Sequence, residues 1–339
     1  MQVKPSQAKT ILAKYLRAGL VPMLTGSPGE GKSSIIKDVA KEFNLKVIDI
    51  RLSQCDPTDL LGMPTVYEKS GKAGYLPMDT FPIEGDEIPN GYSGWLLFLD
   101  EAPLATDAVI AAAYKLVLDK EVGQKKLHKN VAIILAGNLE TDNAMVNPMS
   151  TAMQSRLCHI QMAQDYLEWI DWAVDSGIDH RITDFIKYKP DALYAFSPDH
   201  SDHTFGSPRT WEFTHKILKV SDIDDPDTLP MIAGAISEGL ACEFTVFCKI
   251  YKTLSKIEDI IKSPDTVPVP NEPSVLFALT GTISQHAKEN NIGDLMIFVN
   301  RLPIEFQVVT LREVLRKTKN LISTESIKAW VSKNATELF

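Results

Sequence analysis

Gly26–Ser33 form the segment whose residue types and spacing point most directly to chemistry. Its sequence, GSPGEGKS, matches the pattern G-x-x-x-x-G-K-[ST], in which glycines let successive backbone N–H groups turn inward around phosphate oxygens. An apolar run precedes it and an amphipathic run follows, so we expect a strand, this loop and a helix whose N-terminus favours anions. Lys32 would reach the β- and γ-phosphates of a nucleotide, and the Ser33 hydroxyl would bind Mg²⁺. A loop without a ligand is the alternative, which the flanking pattern disfavours.

An acidic pair ends a second apolar run, GWLLFLDEA, and gives the next candidate residues, Asp100 and Glu101. Ligands of open α/β sheets lie at the carboxyl ends of the strands, so this pair is expected beside the phosphate loop. Asp100 would join Ser33 in holding Mg²⁺, and Glu101 would orient and polarise an attacking water. A helix cap is the alternative role for such a pair. The predicted nucleotide-binding residues are Gly26, Ser27, Pro28, Gly29, Glu30, Gly31, Lys32, Ser33, Ser34 and Asp100.

Three further polar residues could complete a phosphate-transfer site. The apolar run Val131–Ala136 leads directly into Gly137 and Asn138, whose amide could bond the water or the γ-phosphate; a simple turn is the alternative. Arg156 ends a predicted helix, and Arg209 precedes one. Either arginine could stabilise the negative charge that develops during phosphoryl transfer, although an arginine at a helix end often only pairs with carbonyl groups or an acid.

The composition limits the classes of protein to consider. Of 339 residues, 44% are hydrophobic and 23% are charged, which is typical of a well-packed chain and excludes a wholly disordered one. The net charge of −9 disfavours a dedicated nucleic-acid binder but is compatible with a local basic patch. The four cysteines form no CxxC pair, and no run of about 18 apolar residues is present. We therefore expect a protein without a membrane span, in a reducing cytoplasmic compartment.

The first half of the chain supplies the elements that must position these residues. Short apolar runs alternate with helical patterns, which predicts a parallel five-stranded α/β sheet of the P-loop NTPase type with helices on both faces. The predicted strands are Val21–Thr25, Lys46–Leu52, Trp95–Leu99, Val131–Ala136 and Cys158–Met162. The predicted helices are Ser33–Phe43, Asp107–Asp119 and Met149–Arg156.

The rest of the chain predicts helices and two additions to the sheet. Helical patterns occupy segments near Tyr166–Ser176, Ile182–Tyr188, Thr210–Val220 and Pro230–Lys262, and again from about Ser274. The additions are a proline- and glycine-rich insertion over 62–94 and a small hairpin over 119–129. We expect a nucleotide-binding domain over 1–164, a helical lid over 165–262 and a C-terminal helical region over 263–339 that could be continuous with the lid.

The order of these motifs resembles that of an AAA+ ATPase of the MoxR type. The phosphate loop, the Asp-Glu strand, the Gly-Asn strand and the phrases SRL and GSPR occur in sequence, and CDPTDLLGMP, Cys55–Pro64, is similar to the family's segment after the second strand. The resemblance covers roughly Lys9–Thr210. It implies that Asn138 is sensor 1, Arg209 is sensor 2 and Arg156 is an arginine finger that reaches a neighbouring subunit's nucleotide.

The same resemblance implies a function. It predicts a ring, normally a hexamer, that binds ATP and Mg²⁺ between the sheet domain and the lid and couples hydrolysis to remodelling of a protein partner. Von Willebrand factor A-domain proteins are frequent partners in this family. A nucleic-acid motor or loader on the same ring is the first alternative, disfavoured by the acidic net charge. A switch that binds ATP without hydrolysis is the second, disfavoured by the presence of Glu101 and Arg156.

Overall fold

The chain divides into two compact units in a computed structural model that describes residues 1–67, 71–139, 149, 151–197 and 202–334. The sheet unit comprises Met1–Glu168 with a short later stretch that begins at Phe196. The helical unit comprises Trp169–Ala195 and Ser201–Phe339. Each unit has its own buried core, so each is described by itself.

A parallel sheet forms the centre of the sheet unit. Its strands, in spatial order, are β1 (Gln2–Val3), β10 (Cys158–Met162), β2 (Pro22–Thr25), β9 (Val131–Gly137), β6 (Gly94–Asp100) and β3 (Leu45–Arg51). The five predicted strands are all present, which confirms the predicted α/β class. The sixth strand, β1, is an addition: Gln2 and Val3 pair with Gln161 and Met162 at the edge of the sheet. A strand of two residues leaves no alternation that the sequence could show.

Apolar side chains on both faces of the sheet explain why these strands read as continuous apolar runs. In β6, Trp95, Leu97 and Leu99 belong to the core on one face, whereas Leu96 and Phe98 belong to the core on the other. Each fully buried Leu or Phe contributes roughly 1.5–3 kcal/mol relative to an exposed one. A strand that is covered on both sides must therefore be apolar at every position.

Helices cover both faces, as predicted. In the sheet unit they are α1 (Pro5–Arg17), α2 (Lys32–Glu42), α3 (Pro57–Leu61), α4 (Asp107–Leu118), α5 (Thr151–Gln154) and the start of α6 (Tyr166–Asp175). Side chains of α1 and α2 pack on one face and those of α4 on the other. The predicted helix Met149–Arg156 is represented by α5 alone; residues 140–148 and 150 lie outside the described part of the chain.

The insertion over 62–94 begins as an antiparallel hairpin, β4 (Met63–Tyr67) and β5 (Lys72–Leu76). The later hairpin, β7 (Glu121–Val122) and β8 (Lys125–Lys126), confirms the one predicted over 119–129. The insertion and the later hairpin are joined, since the Glu84 N–H donates to the carbonyl of Lys126 at 2.9 Å. Phe81 is buried in the core, which anchors the insertion on the sheet unit.

The helical unit has no strand among the residues that the structure describes there. Its helices are the rest of α6, α7 (His180–Tyr188), α8 (Pro208–Leu218), α9 (Thr228–Ile236), α10 (Glu238–Thr253), α11 (Ile257–Lys262), α12 (Pro273–His286), α13 (Ile292–Val299), α14 (Ile304–Lys317) and α15 (Glu325–Lys333). The predicted segment Pro230–Lys262 is three helices, because Ser237, with φ of 86°, interrupts it after α9 and Leu254 is extended after α10. No helix within the described ranges is long and apolar enough to cross a membrane.

Candidate functional site

The order of the strands brings the predicted residues to one edge of the sheet. β9 lies between β2 and β6, and Thr25, the last residue of β2, pairs with Gly137, the last residue of β9. The turn that follows β6 touches the same place, because a Cβ added to Gly137 would lie 2.2 Å from Cδ of Pro103. Only glycine leaves room for this approach. The loops after β2, β9 and β6 therefore meet at the carboxyl ends of the strands, where α/β proteins hold their ligands.

The loop Gly26–Ser33 has the backbone that a phosphate cradle requires. Gly29 and Gly31 have φ angles of 79° and 87°, in the left-handed region that glycine favours. Gly31 is the residue before α2, so the loop ends at a helix N-terminus with its positive dipole end. Pro28 is half-buried within the loop, and Ser34 is exposed on the first turn of α2.

Lys32 lies at the centre of the loop and is only 8% exposed. Its Nζ donates to the carbonyl oxygens of Gly26 at 2.7 Å and Ser27 at 2.8 Å, and to Oδ1 of Asn138 at 2.9 Å. The last contact joins the loop after β2 to the loop after β9. Lys32 and Asn138, which are 106 residues apart in the chain, are thus brought together as predicted.

Ser33 and the acidic pair form the other half of the cluster. The Ser33 hydroxyl donates to Oδ2 of Asp100 at 3.3 Å, and Oδ1 of Asp100 accepts the N–H of Glu101 at 2.9 Å. Glu101 has φ of 56° and ψ of 31°, a left-handed conformation that residues other than glycine seldom adopt. Backbone strain of this kind is found most often at functional sites. The carboxylate of Glu101 accepts a hydrogen bond from the hydroxyl of Ser53, beyond the end of β3.

The carboxylate of Glu30 accepts a hydrogen bond from a backbone N–H group of the phosphate loop. Its Oε2 accepts the N–H of Ser27 at 2.8 Å, and its Oε1 accepts the side-chain amide of Gln164 at 2.9 Å. A Cβ on Gly26 would lie 2.6 Å from the same Oε2, so the carboxylate sits against the loop. A phosphate oxygen that used the Ser27 N–H would have to displace this carboxylate.

The hydrogen bonds that link the cluster, as given above, do not involve the two predicted arginines, Arg156 and Arg209. Arg156 is exposed in the sheet unit, with its guanidinium carbon 5.9 Å from the centre of the Tyr114 ring on α4. Arg209 is exposed in the helical unit, at the second residue of α8, just after the N-terminal cap Ser207. Their predicted roles toward a neighbouring subunit and toward the γ-phosphate stay predictions.

Two residues of the cluster, Ser53 and Gln164, were not predicted from the sequence. A signal for Ser53 exists, because β3 lies beside β6 and Ser53 follows its last residue by two positions. A polar residue just beyond a strand that neighbours the Asp-Glu strand would point to the same edge. No comparable pattern marks Gln164, which contacts Glu30 across 134 residues of sequence.

The chemistry available at this edge is that of phosphate and a hard cation. It combines a buried ammonium, a glycine loop that ends at a helix N-terminus, a hydroxyl beside a carboxylate, and a second carboxylate held by a hydroxyl. Oxygen donors of this type suit Mg²⁺, which keeps waters and takes its remaining ligands from one or two carboxylates and a phosphate. In the described parts of the chain, no group of three or more His, Cys, Asp or Glu side chains could form a separate metal site.

Comparison with known proteins gives similarity in overall structure only. No protein-family model and no curated protein matches the sequence. Similar solved structures include a candidate ATPase from Cytophaga hutchinsonii, 14% identical, with 91% of this chain and 81% of that chain covered and a TM-score of 0.38. The Holliday junction branch migration motor RuvB of Thermotoga maritima is 16% identical, with 82% and 80% covered and a TM-score of 0.38. Similarity this weak supports no conclusion about this chain, so its function is argued from the site.

Proposed function

We propose that this protein binds ATP with Mg²⁺ and hydrolyses ATP to ADP and phosphate. The observation that carries the proposal is the convergence of Lys32, Ser33, Asp100, Glu101 and Asn138 at the carboxyl ends of adjacent parallel strands. These residues come from three separate loops, so their meeting is a consequence of the fold and not of the loop motif alone.

Binding in this proposal uses the loop and its lysine. The backbone N–H groups of Gly26–Ser33 would hold phosphate oxygens, and Lys32 would exchange a carbonyl partner for an oxygen of the β- or γ-phosphate. Ser33 and Asp100 would hold Mg²⁺, whose charge neutralises the phosphate oxygens. The hydroxyl and carboxylate lie 3.3 Å apart at the start of α2, which suits two ligands of one small cation.

Hydrolysis in this proposal depends on Glu101. Its carboxylate would accept a proton from the attacking water, and Asn138 would hold that water or the γ-phosphate by its amide. The left-handed backbone at Glu101 and the bond from Ser53 fix the direction of the carboxylate. Release of the Ser53 bond would leave both carboxylate oxygens available to water.

The experiment that tests hydrolysis compares Glu101→Gln with Glu87→Gln, a change of an exposed acid in the insertion. Phosphate release at saturating MgATP should fall about 100-fold or more in Glu101→Gln, because an amide cannot take the proton. The dissociation constant for ATP should stay close to that of the wild type in both variants, and Glu87→Gln should hydrolyse normally. Normal turnover in Glu101→Gln, or no ATP binding by the wild type, would reject the proposal.

We further propose that neighbouring subunits complete each other's sites in a ring, with Arg156 as the finger. The exposed position of Arg156 supports this, because a residue that acts in a neighbouring site must lie at the surface of its own subunit. Specific ATPase activity should rise with protein concentration, and Arg156→Ala should abolish turnover while ATP still binds. Arg312→Ala, at another exposed arginine, is the matched control. Activity independent of concentration and of Arg156 would rule out the shared site.

The larger role proposed here is that of a MoxR-type AAA+ ATPase that remodels a protein partner. The sequence resemblance supports it, together with a domain division into 1–164, a lid over 165–262 and a C-terminal region over 263–339. In this scheme Arg209 reports the γ-phosphate to the lid, and the partner could be a von Willebrand factor A-domain protein. Light scattering in MgATP should give the mass of a hexamer, and Arg209→Ala should lower turnover. A monomer under all conditions would contradict the ring.

A further inference from the structure

A cavity of about 370 Å³ lies within the helical unit, and none of its lining residues belongs to the predicted phosphate site. It opens where the end of α6, the start of α7 and the ends of α8, α12 and α14 meet. Its volume is at the lower end of the roughly 300–1,000 Å³ typical of small-molecule sites. The lining holds many ionisable side chains, so the hydrogen-bonding state of each decides what the cavity can accept.

A buried ionic triad forms one wall. Lys187 lies 3.0 Å from Oδ1 of Asp184 and also pairs with Glu313. The side chains of Lys187, Asp184 and Glu313 are 14%, 3% and 11% exposed. Burial raises the pKa of Glu313, and Lys187 opposes that rise. Both carboxylates therefore already have a cationic partner.

The third carboxylate of the lining, Asp179, is also engaged. Arg181 holds it through two bonds, from Nε to Oδ1 at 2.9 Å and from Nη2 to Oδ2 at 2.7 Å. Burial raises the pKa of Asp179, but the bonds and charge of Arg181 outweigh it and hold that pKa below its usual value. A bidentate pair of this kind is strong and leaves the carboxylate little capacity for another donor.

His215 is fixed as a donor toward the cavity that it lines. The backbone N–H of Asp179 donates to Nδ1 of His215 at 3.0 Å, so in the neutral ring the proton is on Nε2. Burial, assisted by Lys219, lowers the pKa of His215, which favours this neutral form. The side chain is 8% exposed, so its Nε2–H has few partners other than a ligand or water in the cavity.

Other donor groups of the lining make few hydrogen bonds. In the part of the chain that the structure describes, the Lys317 ammonium has one hydrogen bond, to the Ser284 hydroxyl at 3.3 Å, and Lys219 and Gln285 have no side-chain hydrogen bond or ion pair. Arg316 is different, because it pairs with Asp171 at 2.8 Å and bonds a carbonyl. The acceptors of this cavity are thus in use, whereas several donors are available.

We propose that this cavity binds a small phosphomonoester, with Lys219, Lys317 and His215 as its donors. The available cations are lysines, which act as point charges and suit phosphate, while the fork of Arg316 that would suit a carboxylate is already engaged. Val174 and Ile178 supply apolar wall for the organic part of the ligand. This inference does not depend on the proposed ATPase activity.

Calorimetry with the full chain tests the proposal, with glycerol 3-phosphate and inorganic phosphate as probes at constant ionic strength. Because phosphate could also enter the loop Gly26–Ser33, every titration uses Lys32→Ala. In this background we expect saturable binding of glycerol 3-phosphate that weakens at least tenfold in Lys219→Gln/Lys317→Gln. Lys328→Gln, at an exposed lysine of α15, removes one positive charge, as each of the two single changes does, and should leave the affinity unchanged.

Three outcomes would overturn the proposal: no saturable binding of glycerol 3-phosphate in the Lys32→Ala background, equal binding in the Lys219→Gln/Lys317→Gln variant, and malonate binding as tight as that of glycerol 3-phosphate. Circular dichroism and the melting temperature establish that each variant is folded. If the double variant does not fold, the single variant Lys219→Gln, at the exposed end of α8, decides by the same criterion with a smaller expected loss of about threefold.

Discussion

The two anion sites proposed for this chain are built in opposite ways. In the sheet unit, eight consecutive residues, Gly26–Ser33, contain one buried lysine, whose ammonium donates to two carbonyl oxygens of the same loop. In the helical unit, the cavity draws on side chains between positions 174 and 317, from five helices, and depends on ion pairs to occupy its carboxylates. The phosphate loop therefore depends on local conformation, whereas the cavity depends on tertiary packing.

The largest expected effect is a decrease in the free energy of unfolding when Lys187 is replaced. Lys187→Ala leaves Asp184 and Glu313 buried without their cation, which typically costs about 3–5 kcal/mol. Urea unfolding followed by tryptophan fluorescence measures it well, because all the tryptophans except Trp95 lie in the helical unit. Phosphate-loop residues are untouched, so ATP affinity of the folded protein should stay the same.

The control for this change is Lys189→Ala. Lys189 pairs with Glu243, but the two side chains are 39% and 51% exposed, so the expected loss is below about 1 kcal/mol. Similar losses in the two variants would mean that the triad is no more important than a surface pair.

The same contrast explains what the sequence could predict of the fold. The central strands β2, β9 and β6 were predictable because they are buried on both faces and so are apolar almost throughout, whereas β3 and β10 also carry exposed polar residues. The break at Ser237 was not, because a left-handed serine inside a helical pattern is held by the surrounding structure and not by its type. Strand β1 was missed because two residues are too few to show a period.

The sequence predicts candidate site residues where a motif is local. The placement of Lys32, Ser33, Asp100 and Asn138 followed from the rule that strand ends gather at one edge. The position of Ser53 just beyond a strand is visible in the sequence, but its bond to Glu101, like that from Gln164 to Glu30, depends on side-chain directions across distant segments. The cavity likewise depends on contacts between distant segments, so the sequence alone did not predict it.

A smaller loss of stability is expected at the contact between Gly137 and Pro103, which joins two loops of the sheet unit. Gly137→Ala would place a methyl group 2.2 Å from Pro103, and overpacking of this kind costs about 1–3 kcal/mol. Relief of the clash must shift the turn that carries Glu101, so phosphate release should fall about tenfold or more. Gly234→Ala is the control: its Cβ meets nothing within 4 Å on α9, and helix propensity should stabilise it slightly. Normal turnover in Gly137→Ala would show that the two loops move independently.

Replacement of Glu30 is expected to change the free energy of ATP binding by about 1 kcal/mol. Its carboxylate uses the Ser27 N–H and adds negative charge where phosphate would bind. Glu30→Gln should therefore tighten ATP binding roughly fivefold, with Glu87→Gln unchanged. Fluorescence titration with a labelled nucleotide measures both. Weaker binding in Glu30→Gln would mean that the carboxylate instead supports the loop, through its bond from Gln164.

The smallest effect concerns pH and belongs to the helical unit. Burial lowers the pKa of His180, against Asp179 and Asp184, and lowers the pKa of His215, with help from Lys219. Because the folded state resists protonation of these rings, the unfolded chain takes up more protons below about pH 6.5, and the free energy of unfolding falls there. The raised pKa of Glu313 has the opposite sign and offsets part of this fall, so a comparison of variants between pH 7.5 and 5.5 is needed to isolate the histidines.

A variant separates the contribution of His215 from the others. His215→Asn keeps an oxygen acceptor for the Asp179 N–H but cannot titrate, so its urea midpoint should fall less than that of the wild type between pH 7.5 and 5.5. His286→Asn, at the exposed end of α12, should retain the wild-type slope. If the cavity holds glycerol 3-phosphate, that ligand should flatten the wild-type slope, because an anion beside Nε2 favours the protonated ring. An equal slope in wild type and His215→Asn would show that His215 titrates alike in the folded and the unfolded chain.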